Sequence, residues 1–301
     1  MYRGRFAPSP TGPLHFGSLI AAVASYLEAK THKGEWLLRM EDLDTPREVP
    51  GVAATILKAL EAFGFEWDGS VIYQSRRFDA YATALENLQR QTLIYPCACS
   101  RKEIADSAIH GIDGLIYPGI CRNGLQASKQ VWAWRIKVED RAITFDDVIQ
   151  GRISQNLSHD IGDFVLKRAD GIYAYQLAVV VDDAEQGITH VVRGADLLGS
   201  TPRQIYLQQK LGVNTPSYAH IPVATNQQGE KLSKQTLAQP VDAQNPVPAL
   251  WQALNFLGQQ PPEKMPYSSL QDAWAWAGDN WQLSNIPSTS KQIVYPNRLF
   301  L

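Results

Sequence analysis

The chain has 301 residues, 45% of them hydrophobic and 19% charged, with a formal net charge of −2. That length supports a large buried core and two or three structural units, and the composition is ordinary for an enzyme-sized globular protein. The near-zero charge excludes a basic coat, so any contact with nucleic acid must be local, through pairs such as Arg76-Arg77 or Arg101-Lys102.

The first eighteen residues hold the run Arg5-Phe6-Ala7-Pro8-Ser9-Pro10-Thr11-Gly12, then His15-Phe16-Gly17-Ser18. They read as a strand, a Pro/Gly turn and the start of a helix lasting to about Lys33. Such a turn points unpaired backbone N–H groups and the positive end of a helix dipole at a bound anion. His15 suits a phosphate contact there, although a histidine at a helix start is also an ordinary capping residue.

Glu35 to Met40 reads as a buried strand with Glu41, Asp42 and Asp44 at its carboxyl end, where ligands of open α/β sheets collect. Glu41 is expected to be functional there, and Asp44 or Thr45, before Pro46, to cap a turn. Val52 to Phe63, stopped by Gly64, and Phe78 to Gln91 read as amphipathic helices. Strand, helix, strand, helix begins a parallel α/β unit.

From Leu93 the texture changes. Cys97, Cys99 and Cys121 cluster in sequence, and in a reducing compartment that spacing favours a metal over a disulfide framework. Val131 to Val138 alternates so that Trp132, Trp134, Ile136 and Val138 share one face of an antiparallel strand. Further on, Leu177 to Val181 reads as a buried strand ending in Asp182-Asp183, and Thr189 to Gly194 as another. Thr201 is expected to cap a helix that starts at Pro202 and runs to about Leu211. Pro246 to Leu257 and Leu270 to Trp276 read as short helices, and residues 287–301 show no usable periodicity.

No P-loop and no dinucleotide-binding glycine pattern is present. His15, behind a helix N-terminus, and Lys234, on the polar loop Gly229 to Gln235, would instead flank a triphosphate from two sides. No run approaches the roughly 18 apolar residues of a membrane span. No membrane partner is expected, and the expected location is cytoplasmic.

These blocks resemble a known family. His15-Phe16-Gly17-Ser18 is similar to the first signature, and Lys231-Leu232-Ser233-Lys234-Gln235 to the second, of the class I aminoacyl-tRNA synthetases. The opening run, Arg39 to Asp44, Ala178 to Asp183, Thr189 to Gly194 and Thr201 to Gln204 resemble the glutamyl-tRNA synthetases in particular. The resemblance implies an α/β fold: a Rossmann-type parallel-sheet catalytic domain with an inserted α+β zinc-bearing subdomain and a short helical C-terminal tail. Residues 1–91 and 173–240 would form the two halves of the catalytic domain, 92–172 the insert and 241–301 the tail, with no anticodon-binding domain.

The resemblance also implies roles. Arg5 and Arg193 would hold the carboxylates of L-glutamate, Glu41 its ammonium group, and Tyr175 would close the pocket. Backbone of Phe6, Ala7, Pro8 and Ser9 would line it. His15, Gly17, Lys231 and Lys234 would bind ATP, with His15 and Lys234 acting on the phosphates, and Mg²⁺ would accompany the nucleotide. Guanidinium forks for a dicarboxylate and one carboxylate for one ammonium are chemically apt.

The chain after Gln235 is too short for the helical anticodon-binding domains of those synthetases, and Ala195 stands where they carry an acidic residue. That truncation resembles the glutamyl-Q tRNA(Asp) synthetase branch, whose Cys-x-Cys and Tyr-x-x-x-Cys pattern stands here as Cys97, Cys99, Tyr117 and Cys121. One structural Zn²⁺ is implied. A phenol is an unusual fourth ligand, and His110 is the alternative. The expected reaction is tRNA-independent activation of glutamate, then transfer to queuosine in tRNA(Asp), by a monomer. The rivals are a minimal synthetase charging a tRNA 3′ end and a non-catalytic zinc and RNA-binding module.

Overall fold

The computed structural model describes residues 1–44, 48–107, 109–111, 114–125, 133–232 and 239–294. β1 (Arg3–Phe6), α1 (Phe16–Thr31), β2 (Glu35–Met40), α2 (Val52–Ala62), β3 (Ile72–Tyr73) and α3 (Phe78–Arg90) follow in order. β2 pairs in parallel with both β1 and β3, as strand–helix–strand repeats require. Gly64 follows α2 at φ +75°, a left-handed helix exit that glycine adopts without strain.

Residues 92–172 are mostly antiparallel. β4 (Ile94–Cys97) is followed by α4 (Arg101–Ser107) and a hairpin of β5 (Ile109–Gly111) and β6 (Gly114–Ile116). β7 (Ala133–Ile136) lies between β4 and β10 (Val165–Lys167), and β8 (Ala142–Asp147) pairs with β9 (Gly151–Asn156) before α5 (Leu157–Asp160). The alternation around β7 is only half as expected. Ile136 and Val138 are buried, yet Arg135, on the opposite face, is buried too, because it turns toward the cysteines. Trp132 lies outside the described residues.

The largest departure comes next. Leu177 to Val181 is not a strand but the middle of α6 (Tyr175–Glu185), and every residue from Leu177 to Asp183 is buried. A helix covered on all sides shows no polar stripe, so its apolar run cannot be told from a buried strand by periodicity. Asp182 and Asp183 therefore sit in the last turns of a helix. Carboxylates are unfavourable at that end of the dipole, and arginines from β1, β2 and the N-cap of α3 compensate them.

β11 (His190–Gly194), α7 (Thr201–Leu211) and β12 (Ser217–Ile221) restore the parallel unit. The Thr189 N–H donates to the Arg3 carbonyl at 3.0 Å, which sets β11 beside β1. The expected cap of α7 is displaced by one residue. Ser200 is the cap position, while the Thr201 hydroxyl opens the helix and meets Arg193.

After β13 (Val223–Thr225), α8 (Pro246–Phe256) and α9 (Leu270–Asn280) return to α1 and α2. Phe16 meets Phe256 edge-on, and Trp274 Nε1 donates to the Phe63 carbonyl at 2.7 Å. Within the stretch without periodicity, β14 (Lys291–Ile293) adds a parallel partner to β13. One apolar core joins α1, β1, β2, α8 and α9, and a second joins α3, α6, α7 and β7. Among the described residues no helix is long and apolar enough to cross a membrane.

Candidate active site

The opening loop forms one wall of a cavity of about 570 Å³. Phe6, Ala7, Pro8, Ser9, His15, Gly17 and Lys231 all line it, so the structure brings these expected site residues together. His15 is itself the N-cap of α1. Its Nδ1 accepts from the Ser18 N–H at 3.3 Å, and its Nε2 lies 3.1 Å from Ser18 Oγ. Burial, then the charge of Lys231, lowers its pKa, which favours a neutral ring. Capping and facing the cavity are thus one placement.

Gly17 is where the two signatures meet. A Cβ on it would stand 3.2 Å from the His15 ring and 3.2 Å from the Leu232 carbonyl oxygen. Leu232 is in turn tied by its N–H to the Ala224 carbonyl of β13. Lys231 Nζ reaches Asp196 Oδ2 at 2.6 Å across the same cavity. Lys234 lies outside the described residues, as do Thr45 and Pro46.

Behind the loop lies a buried charged cluster. The Glu41 N–H donates to the Pro8 carbonyl at 3.0 Å, which locks the end of β2 to the opening loop. The Glu41 carboxylate is 3.4 Å from Arg39 Nη2. Its pKa is nonetheless raised, because burial outweighs Arg39 and Arg5. A carboxylate in that state gains from a further cation. Tyr175 is half-buried against the same groups. Burial, then Glu41, raises its pKa, while Arg193 and Arg5 oppose.

Arg5 and Arg39 are anchored by Asp183, at 3.2 and 2.8 Å. Arg193 Nη1 lies 3.5 Å from the Tyr175 hydroxyl. Arg5, Glu41, Tyr175 and Arg193 thus form one electrostatic unit around the start of α6. Asp44 pairs with Arg168 at 3.8 Å, at the rim of this region.

The three cysteines converge with their sulfurs all within 4.8 Å of one another. The Tyr117 hydroxyl stands 3.4 Å from both Cys97 and Cys99 and accepts from the Cys121 N–H at 2.9 Å. Arg135 stacks on the Tyr117 ring at 3.9 Å, and its Nε donates to Cys97 Sγ at 3.4 Å. Hydrogen bonds from Tyr117 and Arg135 pull the Cys97 pKa down against burial. Burial instead pushes Cys99 up to about 11. Sulfurs this close fit a thiolate-preferring divalent ion. Among the described residues it is the one group of three or more His, Cys, Asp or Glu side chains close enough to hold a metal. His110 lies on β5, but its side chain is outside what is described.

Sequence reasoning missed Asp183, His220 and Asp147. Asp183 was within a matched block but assigned to a strand end. His220 and Asp147 carried no signal, because their partners are 27 and 73 positions away.

Residues 1–264 match the family of tRNA synthetases class I (E and Q), catalytic domain. The chain is 62% identical over 291 residues to the glutamyl-Q tRNA(Asp) synthetase of Dechloromonas aromatica, covering 96% of this chain and 97% of that protein. It is 57% identical over 293 residues to that of Chromobacterium violaceum, covering 97% and 98%. Its fold is similar to the glutamate-tRNA synthetase of Elizabethkingia anophelis, with a TM-score of 0.81 and 26% identity, over 98% of this chain and 68% of that one. A glutamate tRNA ligase of Elizabethkingia meningosepticum, solved with its amino acid, gives 0.78 and 26%, over 96% and 66%.

Proposed function

The chain belongs to the class I tRNA synthetases of the E and Q type, within the glutamyl-Q tRNA(Asp) synthetase branch, and we propose that it attaches glutamate to the queuosine base of tRNA(Asp). The observation that carries this reading is the pairing of two unlike surfaces. A loop wall that ends at the N-terminus of α1, with His15 and Lys231, suits ATP phosphates. Directly behind it, Arg193, Arg5 and the desolvated Glu41 suit a substrate with two carboxylates and one ammonium group.

The chemistry needs no side-chain nucleophile. The α-carboxylate of glutamate attacks the α-phosphorus of ATP, pyrophosphate leaves, and a cyclopentene-diol hydroxyl of queuosine then attacks the acyl carbon as AMP departs. Positioning and charge stabilisation supply the catalysis. Arg193 and Arg5 fix the substrate carboxylates, Glu41 its ammonium group, and Tyr175 closes the pocket. His15, Gly17 and the two loop lysines, Lys231 and Lys234, hold the triphosphate. Mg²⁺ accompanying ATP would supply neutralisation of phosphate charge. Cys97, Cys99, Cys121 and Tyr117 would hold one structural Zn²⁺, which would fix the fold between β4 and β7. The enzyme works as a monomer in the cytoplasm.

The test is to charge tRNA(Asp), with and without queuosine, using labelled glutamate and ATP, and then cleave the product. Label confined to the anticodon fragment of the queuosine-bearing tRNA is expected. Label on the 3′ fragment would replace this reading with that of a minimal glutamyl-tRNA synthetase. Elemental analysis should find about one zinc per chain; a folded, metal-free preparation would remove the metal assignment.

A further inference from the structure

Arg193 is held differently from the other arginines of the cluster. Arg5 and Arg39 each touch the Asp183 carboxylate. Among the described residues, no carboxylate lies within 4.0 Å of Arg193. Its partners are neutral: Nε donates to His220 Nε2 at 3.0 Å, and Nη2 donates to Thr201 Oγ1 and Gln204 Oε1, each at 2.8 Å. Nη1 keeps only the long contact with Tyr175. The guanidinium is therefore immobilised at one edge while its charge and its other edge remain uncommitted.

His220 can serve Arg193 only in one tautomer. The ring is fully buried, and its Nδ1 lies 2.6 Å from Asp147 Oδ2. Asp147 is itself fixed, since its Oδ1 accepts from the N–H groups of Ile149, Gln150 and His220 at 3.1, 2.9 and 3.1 Å. With the proton on Nδ1 facing Asp147, Nε2 must present a lone pair to Arg193. Burial, and then the charge of Arg193 against the pull of Asp147, lowers the His220 pKa to about 4, so the ring stays neutral. Asp147 ends β8 within residues 92–172, and His220 lies on β12 beside β11. A carboxylate from one part of the chain thus reaches a guanidinium in another through one imidazole.

We propose that Asp147 and His220 are positioning residues for Arg193: Asp147 sets the imidazole tautomer, and the imidazole orients the guanidinium without neutralising it, leaving Nη1 for a substrate carboxylate. This inference rests on the reading of Arg193 as a glutamate contact.

The test uses glutamate-dependent ATP–pyrophosphate exchange with the full chain. Asp147→Asn keeps a carbonyl for the three backbone N–H groups but turns an NH₂ toward His220 Nδ1. The ring must then protonate at Nε2, which sets two donors against each other at Arg193. The expected result is a glutamate KM raised about tenfold or more, with the ATP KM changed less than about twofold. Arg193→Lys should raise the glutamate KM as well, and adding Asp147→Asn to it should cost nothing further.

An unchanged glutamate KM in Asp147→Asn, beside a damaged Arg193→Lys, overturns the positioning role alone. Equal losses for glutamate and ATP, or full additivity in the double variant, overturn it in favour of a merely structural network. An unchanged glutamate KM in Arg193→Lys removes the underlying reading of Arg193 instead. His220→Phe keeps the bulk of the ring but none of its nitrogens, and it carries the same expectation where Asp147→Asn fails to fold.

Discussion

The two walls of the candidate site are built by opposite means. The loop wall is the opening turn with its glycines, a neutral histidine and a lysine half in solvent, and it encloses open volume. The wall behind it is a buried lattice of ions in which Arg5 and Arg39 share the Asp183 carboxylate. Charge that is exposed can change partners cheaply; charge that is buried must be placed once, by the fold. The loop wall should therefore tolerate substitution in stability but not in nucleotide handling. The rear wall should fail in stability first.

The sharpest way to break that contrast is Asp183→Ala. It leaves two buried arginines without their shared carboxylate, and breaking a buried pair from one side costs about 3–5 kcal/mol. Chemical denaturation should show a loss of that size. A loss below about 1 kcal/mol would mean that water reaches the cluster and that the rear wall is not a fixed lattice.

A smaller effect follows from acid. In the unfolded chain His220 takes up a proton as pH falls through about 6.5, whereas in the fold it does so only near 4. The unfolded state therefore binds more protons between those values, and stability drops as pH falls from 6.5 to 4, by on the order of 3 kcal/mol. Asp147, held below the usual carboxylate range despite burial by its bond to His220, extends the loss to lower pH. Unfolding free energies at pH 7 and 4.5 should differ less in His220→Phe than in the parent. An identical difference would place the acid sensitivity elsewhere.

These residues also show what could be read in advance. The part of the loop wall that comes from the opening loop is contiguous in sequence, so its strand, turn and capping histidine were legible together. Glu41 was legible as the residue just beyond a strand. α6 was not, because a helix buried on every side loses the periodicity that identifies it. The mistaken strand then hid the fact that Asp183 faces β1 and β2 from a helix. β14 was invisible because Lys291–Ile293 has no apolar alternation and is specified by its partner β13. Asp147 and His220, behind Arg193, escaped for a different reason. Asp147, His220 and Arg193 meet only once the antiparallel insert and two parallel strands have been assembled.

On the loop wall, Gly17→Ala tests the close approach of the two signatures. The added methyl would crowd the His15 ring and the Leu232 carbonyl, and overpacking of this kind typically costs about 1–3 kcal/mol. Because both neighbours face the cavity, the ATP KM should rise about tenfold while the glutamate KM stays within about twofold. Parallel increases in both would mean that the two walls respond as one.

The smallest expected effect concerns Asp196. Its carboxylate lies in the cavity wall and pairs with Lys231 in a contact where both side chains keep a third or more of their surface in solvent. Exposed pairs of this kind contribute about 0–1 kcal/mol, so Asp196→Asn should leave the melting temperature nearly unchanged. Its effect on ATP should still have a definite sign. Bringing a triphosphate beside Lys231 makes the ammonium divide its donors between Asp196 and the phosphates, and it also brings phosphate charge up to a carboxylate. Removing that charge relieves both costs, so the ATP KM should fall, by no more than about fivefold given the energy of such a pair. A rise in ATP KM would instead mean that Asp196 holds Lys231 in the position the phosphates need. The loop wall would then be preorganised by an ion pair after all, and the contrast between the two walls would be one of degree.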